Sequence, residues 1–215
     1  MAKGTMTAEN NVLRQHWESV YQAKTPTAVS WYQPHLEQSL AFIRASSPGK
    51  DARVIDIGGG ASTLVDDLLE DGVRHVTVVD ISGQALAKAK RRLGAKAGRV
   101  TWVEGDVTAA PLPSQAYDIW HDRAVFHFLV VPEGRAKYIE RMHRALRPGA
   151  HAIMATFALN GPPKCSGLSV VRYGAESLSQ ELGPMFSLIE SVNESHRTPA
   201  GVTQEFIYCR FKYSA

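Results

Sequence analysis

Three acidic residues close three apolar runs in turn: Asp56 in VIDIGGG, Asp80 in VTVVDIS and Asp106 in WVEGDV. A carboxylate at the tip of a buried strand is an acceptor held in a fixed place, and several in succession suit the hydroxyls and amine of a nucleoside. Behind the first stand Gly58, Gly59 and Gly60. Glycine costs backbone entropy, so three at a strand-to-helix junction are expected where a ligand approaches the main chain and takes free N–H groups. Asp80 follows them by about 20 residues, the spacing at which an acid accepts from both ribose hydroxyls and repels a phosphorylated ribose. Asp106 is placed to accept from an adenine amine, with Val107 flanking the ring and Ile81 beside the ribose acid.

Two cofactor classes fit this much. A nicotinamide dinucleotide uses G-x-G-x-x-G, for which Gly58 and Gly60 serve but Thr63 replaces the third glycine that allows close helix packing. S-adenosylmethionine carries no phosphate, and its usual fingerprint is an acid with glycines two and four positions on: Asp56, Gly58 and Gly60.

The elements that must hold these residues follow from periodicity. NNVLRQHWESVYQ and PHLEQSLAFIRA read as helices, separated by the aromatic loop AKTPTAVSWYQ. Then strand and helix alternate: RVIDIGG, ASTLVDDLLEDG with Ser62 as a cap, HVTVVDIS, GQALAKAKRRLG, RVTWVEGDV, AYDIWHD, GRAKYIERMHRALRPG and HAIMATFAL. Apolar strands separated by helices imply a parallel sheet covered on both faces. AESLSQELG reads as a further helix, and FSLIESVNESH with QEFIYCRFKY as a terminal antiparallel hairpin. The expected fold is α/β, a Rossmann-like, doubly wound, mainly parallel sheet. The expected organisation is a disordered lead over 1–10 and one domain over 11–215. Within it, 11–50 forms the helices and lid, 51–160 the cofactor-binding core, and 161–215 the acceptor loop and hairpin.

The bulk numbers narrow the classes. The chain has 215 residues, a net charge of +3 and 44% hydrophobic residues, ordinary for a globular domain and too mildly basic to predict a nucleic-acid partner. Two cysteines, Cys165 and Cys209, fit a reducing compartment and offer neither a disulfide framework nor a zinc site. Neither a membrane span nor a secretion signal is legible, so a cytoplasmic monomer or weak dimer is expected.

VIDIGGGAS, VVDIS, EGDV, YDIWHDRAVFHFL and LRPGA follow one another much as in the class I S-adenosylmethionine-dependent methyltransferases, which the chain resembles over roughly residues 15 to 213. The resemblance implies seven strands with the last antiparallel, S-adenosylmethionine as cofactor and S-adenosylhomocysteine as product. No metal is expected, because a metal-dependent site would want several acids beyond the fourth and fifth strands and only Asp122 and Asn160 stand there. The resemblance also implies that the amino-terminal segment covers the cofactor, with Trp31 facing the sulfonium or Tyr32 reaching the methionine carboxylate, or both serving only as core aromatics. It puts the segment after the fourth strand beside the methyl group. There Asp122 could orient the cofactor amine or take a proton, and His127 could be a base or a satisfied core histidine. Arg123 is a candidate for a carboxylate of cofactor or acceptor. The loop NGPPKCSGLSVVRY is expected to wall the acceptor, with Arg172 and Tyr173 reading a polar substrate, Cys165 a bystander, and His196 and Thr198 closing the pocket.

The acceptor stays open between a small molecule and a protein side chain. A roofed pocket would mark the first, an open groove with acidic rims the second. The competing readings are a nucleoside-cofactor binder without turnover and an NAD-type enzyme.

Overall fold

The computed structural model describes residues 8–46 and 49–215. Most of the expected lead, residues 1–7, lies outside the described residues; helix α1 begins at Ala8 and runs to Ala23. The other helices are α2 (Glu37–Ala45), α3 (Leu64–Glu70), α4 (Gly83–Leu93), α5 (Pro132–Ala145) and α6 (Ala175–Leu182). The strands are β1 (Arg53–Ile57), β2 (His75–Asp80), β3 (Val100–Glu104), β4 (Tyr117–Arg123), β5 (Leu146–Phe157), β6 (Lys164–Cys165), β7 (Leu168–Ser169), β8 (Phe186–Arg197) and β9 (Thr203–Tyr213).

Seven strands form one sheet in the order β3-β2-β1-β4-β5-β9-β8, and β6 pairs with β7 apart from it. β1 to β5 run parallel, while β9 runs antiparallel to both β5 and β8. The last strand of the chain therefore enters between β5 and β8. The expected hairpin is present, with its second strand inside the sheet.

Alternation along each strand divides the core in two. Ile55 and Ile57 face a cluster with Tyr138 and Met142 of α5 and Leu178 and Leu182 of α6. Val54, Val76 and Val78 face the opposite cluster with Leu40 and Ile43 of α2, Leu64 and Leu68 of α3, and Leu86 and Leu93 of α4. Helices on both faces satisfy strands that are apolar on both sides. Strand order reverses between β1 and β4, which puts a crevice outside the carboxyl ends of β1, β2 and β4. None of the described helices is long and apolar enough to cross a membrane.

Candidate functional site

Two adjoining cavities open at that crevice and share Tyr21, Trp31, Ile57, Gly58 and Arg123 in their walls. The first is lined on one side by the tips of β2 and β3, through Asp80, Ile81, Gly105, Asp106 and Val107. Its other side comes from α1 and the segment after β4, through Leu13, Trp17, Val125, Phe128 and Leu129, with Cys165 from the loop beyond β5. The second is lined by Tyr32, Gln33, Asp56, Gly59 and Ser62, among others.

The three acids sit in different environments. Asp80 is buried, and its Oδ1 accepts the Ser82 N–H at 2.8 Å. Burial pushes its carboxyl up from 3.8 to about 7, with the Ser82 and Gly60 N–H groups opposing. Asp106 Oδ1 accepts from both the N–H and the hydroxyl of Thr108, at 2.7 and 2.8 Å. Asp56 meets His121, its Oδ1 lying 2.7 Å from Nδ1, while His121 Nε2 lies 2.9 Å from Ser39 Oγ. Its Oδ2 is buried without a protein partner among the described residues.

The glycines divide the work differently from the expectation. Gly58 has φ +67° and lines both cavities, and a Cβ there would overlap the Val125 side chain. It is the glycine that keeps the junction open in a left-handed conformation. Gly59 and Gly60 make room for the protein's own acids, since a Cβ at either would strike the Asp56 or the Asp80 carboxylate. Gly60 is absent from both linings. The helix start is also later than expected: α3 begins at Leu64 after Thr63, although Ser62 Oγ does accept the Leu64 N–H at 3.2 Å.

Arg123 spans the two cavities. Its Nε donates to Tyr208 Oη at 2.7 Å and its Nη1 to the Trp31 carbonyl at 3.0 Å. The guanidinium carbon lies 4.6 Å from the centre of the Phe206 ring. Its Nη2 is buried without a partner among the described residues, as is Gln33 Oε1. The second cavity thus has an unpaired carboxylate oxygen, an unpaired amide oxygen and an unpaired guanidinium nitrogen on its lining residues. Buried polar atoms are normally paired, so three unpaired ones on the walls of one cavity set it apart from the rest of the core.

The aromatic loop is pinned at several points. Besides Arg123, His196 Nε2 lies 2.7 Å from the Ser30 carbonyl and Gln33 Nε2 donates to Glu194 at 2.6 Å. Trp31 lines both cavities, whereas Tyr32 lines the second alone. Above them α1 is held by Glu18, which accepts the Gly83 and Gln84 N–H groups at the start of α4, and by Arg14 against Glu104. The edge of the Trp17 ring meets Trp31 at 5.6 Å and Phe128 at 5.1 Å. Together these roof the first cavity.

Several residues expected at the methyl or acceptor side lie elsewhere. Asp122 is fully buried and lines neither cavity; its carboxylate takes the Val125 and Phe126 N–H groups and the Tyr138 hydroxyl. It shapes the turn after β4, and burial raises its carboxyl to about 6. His127 is also fully buried, its Nδ1 3.4 Å from the Phe157 N–H, and burial pushes its ring down to about 3. These surroundings suit the core alternative of the two. Arg172 donates to the Gly161 carbonyl at 3.1 Å, Tyr173 packs on Phe126 in the core, and His196 acts on the Ser30 carbonyl. Of that long loop the residue in the cavity wall is Cys165. Periodicity could not place these side chains, because it gives at most the face of a strand and not the partner that takes up a polar group. Trp17, Phe128 and Leu129 were missed as cavity residues for a related reason: an apolar residue looks the same in a core and in a ligand wall.

Comparison with known proteins agrees with the geometry. Residues 54–149 match the family model described as a methyltransferase domain. A ubiquinone/menaquinone biosynthesis C-methyltransferase of Methylobacterium nodulans is 31% identical over 58% of this chain and 50% of its own length. A Mus musculus eEF1A lysine and N-terminal methyltransferase is 24% identical over 59% of this chain and 18% of its own. The chain spans half or less of these curated relatives. A Burkholderia thailandensis 1,6-didemethyltoxoflavin-N1-methyltransferase, solved with its acceptor and S-adenosylhomocysteine, superimposes with a TM-score of 0.73 and 20% identity, covering 100% of this chain and 94% of that one. The family match covers a little under half of the chain, and the likeness to the solved structure shows that the chain shares its α/β fold.

Proposed function

We propose that the chain is an S-adenosylmethionine-dependent methyltransferase with a small-molecule acceptor. The observation that carries this is the pairing of the two cavities. One offers Asp80 and Asp106 on adjacent strand tips, and the other offers unpaired groups on Asp56, Gln33 and Arg123. An adenosine fits the first chemistry and an amino acid the second, and S-adenosylmethionine joins the two in one molecule. A dinucleotide does not fit, because Asp56 at the glycine turn would repel a pyrophosphate.

In this reading Asp80 accepts from the ribose hydroxyls, Asp106 from the adenine amine, and Ile81 and Val107 flank the rings. Asp56 and Gln33 accept from the amino group, and Arg123 Nη2 donates to the carboxylate, with Tyr32 at the edge of the same cavity. When bound, the sulfonium supplies an activated methyl group. The protein's remaining work is to align the acceptor and exclude water, which the Trp17 and Trp31 roof does. That roof also favours a small molecule over a protein side chain.

Isothermal titration with S-adenosylhomocysteine, adenosine and NADH tests the assignment. The expected order is S-adenosylhomocysteine tighter than adenosine, with no heat from NADH. Equal affinity for the first two would remove the amino acid from the second cavity. Radiolabelled donor with a metabolite extract and with a protein extract then separates the acceptors, and binding without transfer to either would mark a non-catalytic binder.

A further inference from the structure

The carboxylate near the end of β1 is held by a line of buried side chains. Register between the parallel strands β1 and β4 places His121 directly across from Asp56, and side chains at paired positions share a face of the sheet. That face is the one α2 covers, and Ser39 of α2 meets them there. A histidine at this position breaks the pattern of its own strand, since Ile119 two residues earlier is apolar like the rest of that cluster. Asp56, His121 and Ser39 are all buried. His121 Nδ1 lies 2.7 Å from Asp56 Oδ1, and its Nε2 lies 2.9 Å from Ser39 Oγ. An ionised carboxylate only accepts, so Nδ1 carries the shared proton. The Ser39 hydroxyl also faces Tyr208, whose own hydroxyl accepts from Arg123 Nε at 2.7 Å. The line thus runs between the two charged residues of the second cavity, Arg123 and Asp56, whose Nη2 and Oδ2 have no partner among the described residues.

From this we infer that His121 is a positioning residue for the amino group of the cofactor, acting through Asp56, and that Ser39 steadies its ring. The inference rests on the methyltransferase reading above, with Asp56 as the acceptor for that amino group. His121 forms part of the wall of the second cavity, yet both of its ring nitrogens are committed within the protein. What it supplies is direction. A carboxylate held by nothing turns about its last side-chain torsion, which is broad. With Oδ1 fixed by His121, Oδ2 packs against Gly59, where a Cβ would stand 2.3 Å from it, and both residues line the cavity. An ammonium group arriving there meets an acceptor already aimed, and less freedom is lost on binding.

The test compares three ligands by calorimetry. They are S-adenosylhomocysteine, its deamino analogue lacking only the amino group, and 5′-methylthioadenosine, which lacks the whole amino acid. His121→Leu removes the donor and should weaken S-adenosylhomocysteine at least about tenfold, because the carboxylate loses its aim at a charged hydrogen bond. The other two ligands should change by less than about twofold, since neither presents an amine to Asp56. His121→Asn, whose amide nitrogen takes the place of Nδ1, should restore most of the loss. In an Asp56→Asn background His121→Leu should weaken S-adenosylhomocysteine no further, as expected of a residue that acts through Asp56. Ser39→Ala should show the same ligand preference at smaller size, and it carries the test if His121→Leu fails to fold. Equal weakening of all three ligands, an unchanged affinity for S-adenosylhomocysteine, or full additivity with Asp56→Asn would overturn the inference. Wild-type protein that fails to bind S-adenosylhomocysteine, or binds it no more tightly than the deamino analogue, would instead remove the reading of the site beneath it.

Discussion

Replacing Asp80 with asparagine should make the protein more stable and a poorer binder at once. The folded chain holds this carboxyl at about 7 against an ordinary 3.8, chiefly by burial. A raised carboxyl costs stability once it must ionise. Between about pH 4 and pH 7 the native state keeps a proton that the unfolded chain has released, so this group lowers stability as pH rises through that window and adds nothing further above it. At about 1.4 kcal/mol per pH unit, the cost above pH 7 is about 4 kcal/mol. Asparagine is isosteric with the neutral acid, keeps an oxygen for the Ser82 N–H, and does not titrate. Whatever constant offset its packing introduces, the stability gap between variant and wild type should widen by about 3 kcal/mol from pH 5 to pH 8. Urea denaturation at the two pH values measures that change without needing the offset. The same variant should bind S-adenosylhomocysteine at least tenfold more weakly at pH 8, because hydrogen bonds from two hydroxyls to a carboxylate are each worth about 1.5–3 kcal/mol. A gap of equal size at both pH values would show that folding leaves the Asp80 carboxyl near its ordinary value, and an unchanged dissociation constant would move the ribose away from it.

Other outcomes follow from the same geometry. In the wild type, if the Asp80 carboxylate is the form that binds ribose, the apparent dissociation constant for S-adenosylhomocysteine should rise about tenfold from pH 8 to pH 6; a flat titration curve would exclude that coupling. Gly58→Ala should destabilise the fold by about 1–3 kcal/mol, through the left-handed φ and the collision with Val125, and a parallel drop in cofactor affinity would be visible by calorimetry. Arg123→Lys should weaken S-adenosylhomocysteine more than adenosine, since the lost nitrogen faces the amino acid half; equal losses for both ligands would argue against that placement. His127→Leu should leave both the dissociation constant and the turnover of any accepted substrate unchanged, and the loss of one limb of the pH–rate profile would return His127 to the chemistry.

What was legible in the chain depended on how local each signal is. Strand β1, the glycine turn and the acids at the tips of β2 and β3 are encoded by neighbours a few residues apart, so apolar runs ending in acid and glycine predicted them and their order. The parallel sheet followed from alternation, and the terminal hairpin from its two-residue period. Position in space is another matter. Asp122 and His127 stand beside the expected methyl site in sequence, yet Asp122 turns back onto the Val125 and Phe126 N–H groups and His127 packs under Phe157. Asp56 was expected on the cofactor, and the His121–Ser39 chain that orients it joins residues from β4 and α2. Trp17 reads as a core anchor until α1 is laid across the crevice and capped onto α4 by Glu18. Burial, pairing and the unpaired nitrogen of Arg123 are properties of the assembled core, because only packing removes water from a polar atom and decides whether a partner takes its place. The chain by itself determined the fold and the cofactor class; tertiary structure decided which polar groups were left over for a ligand.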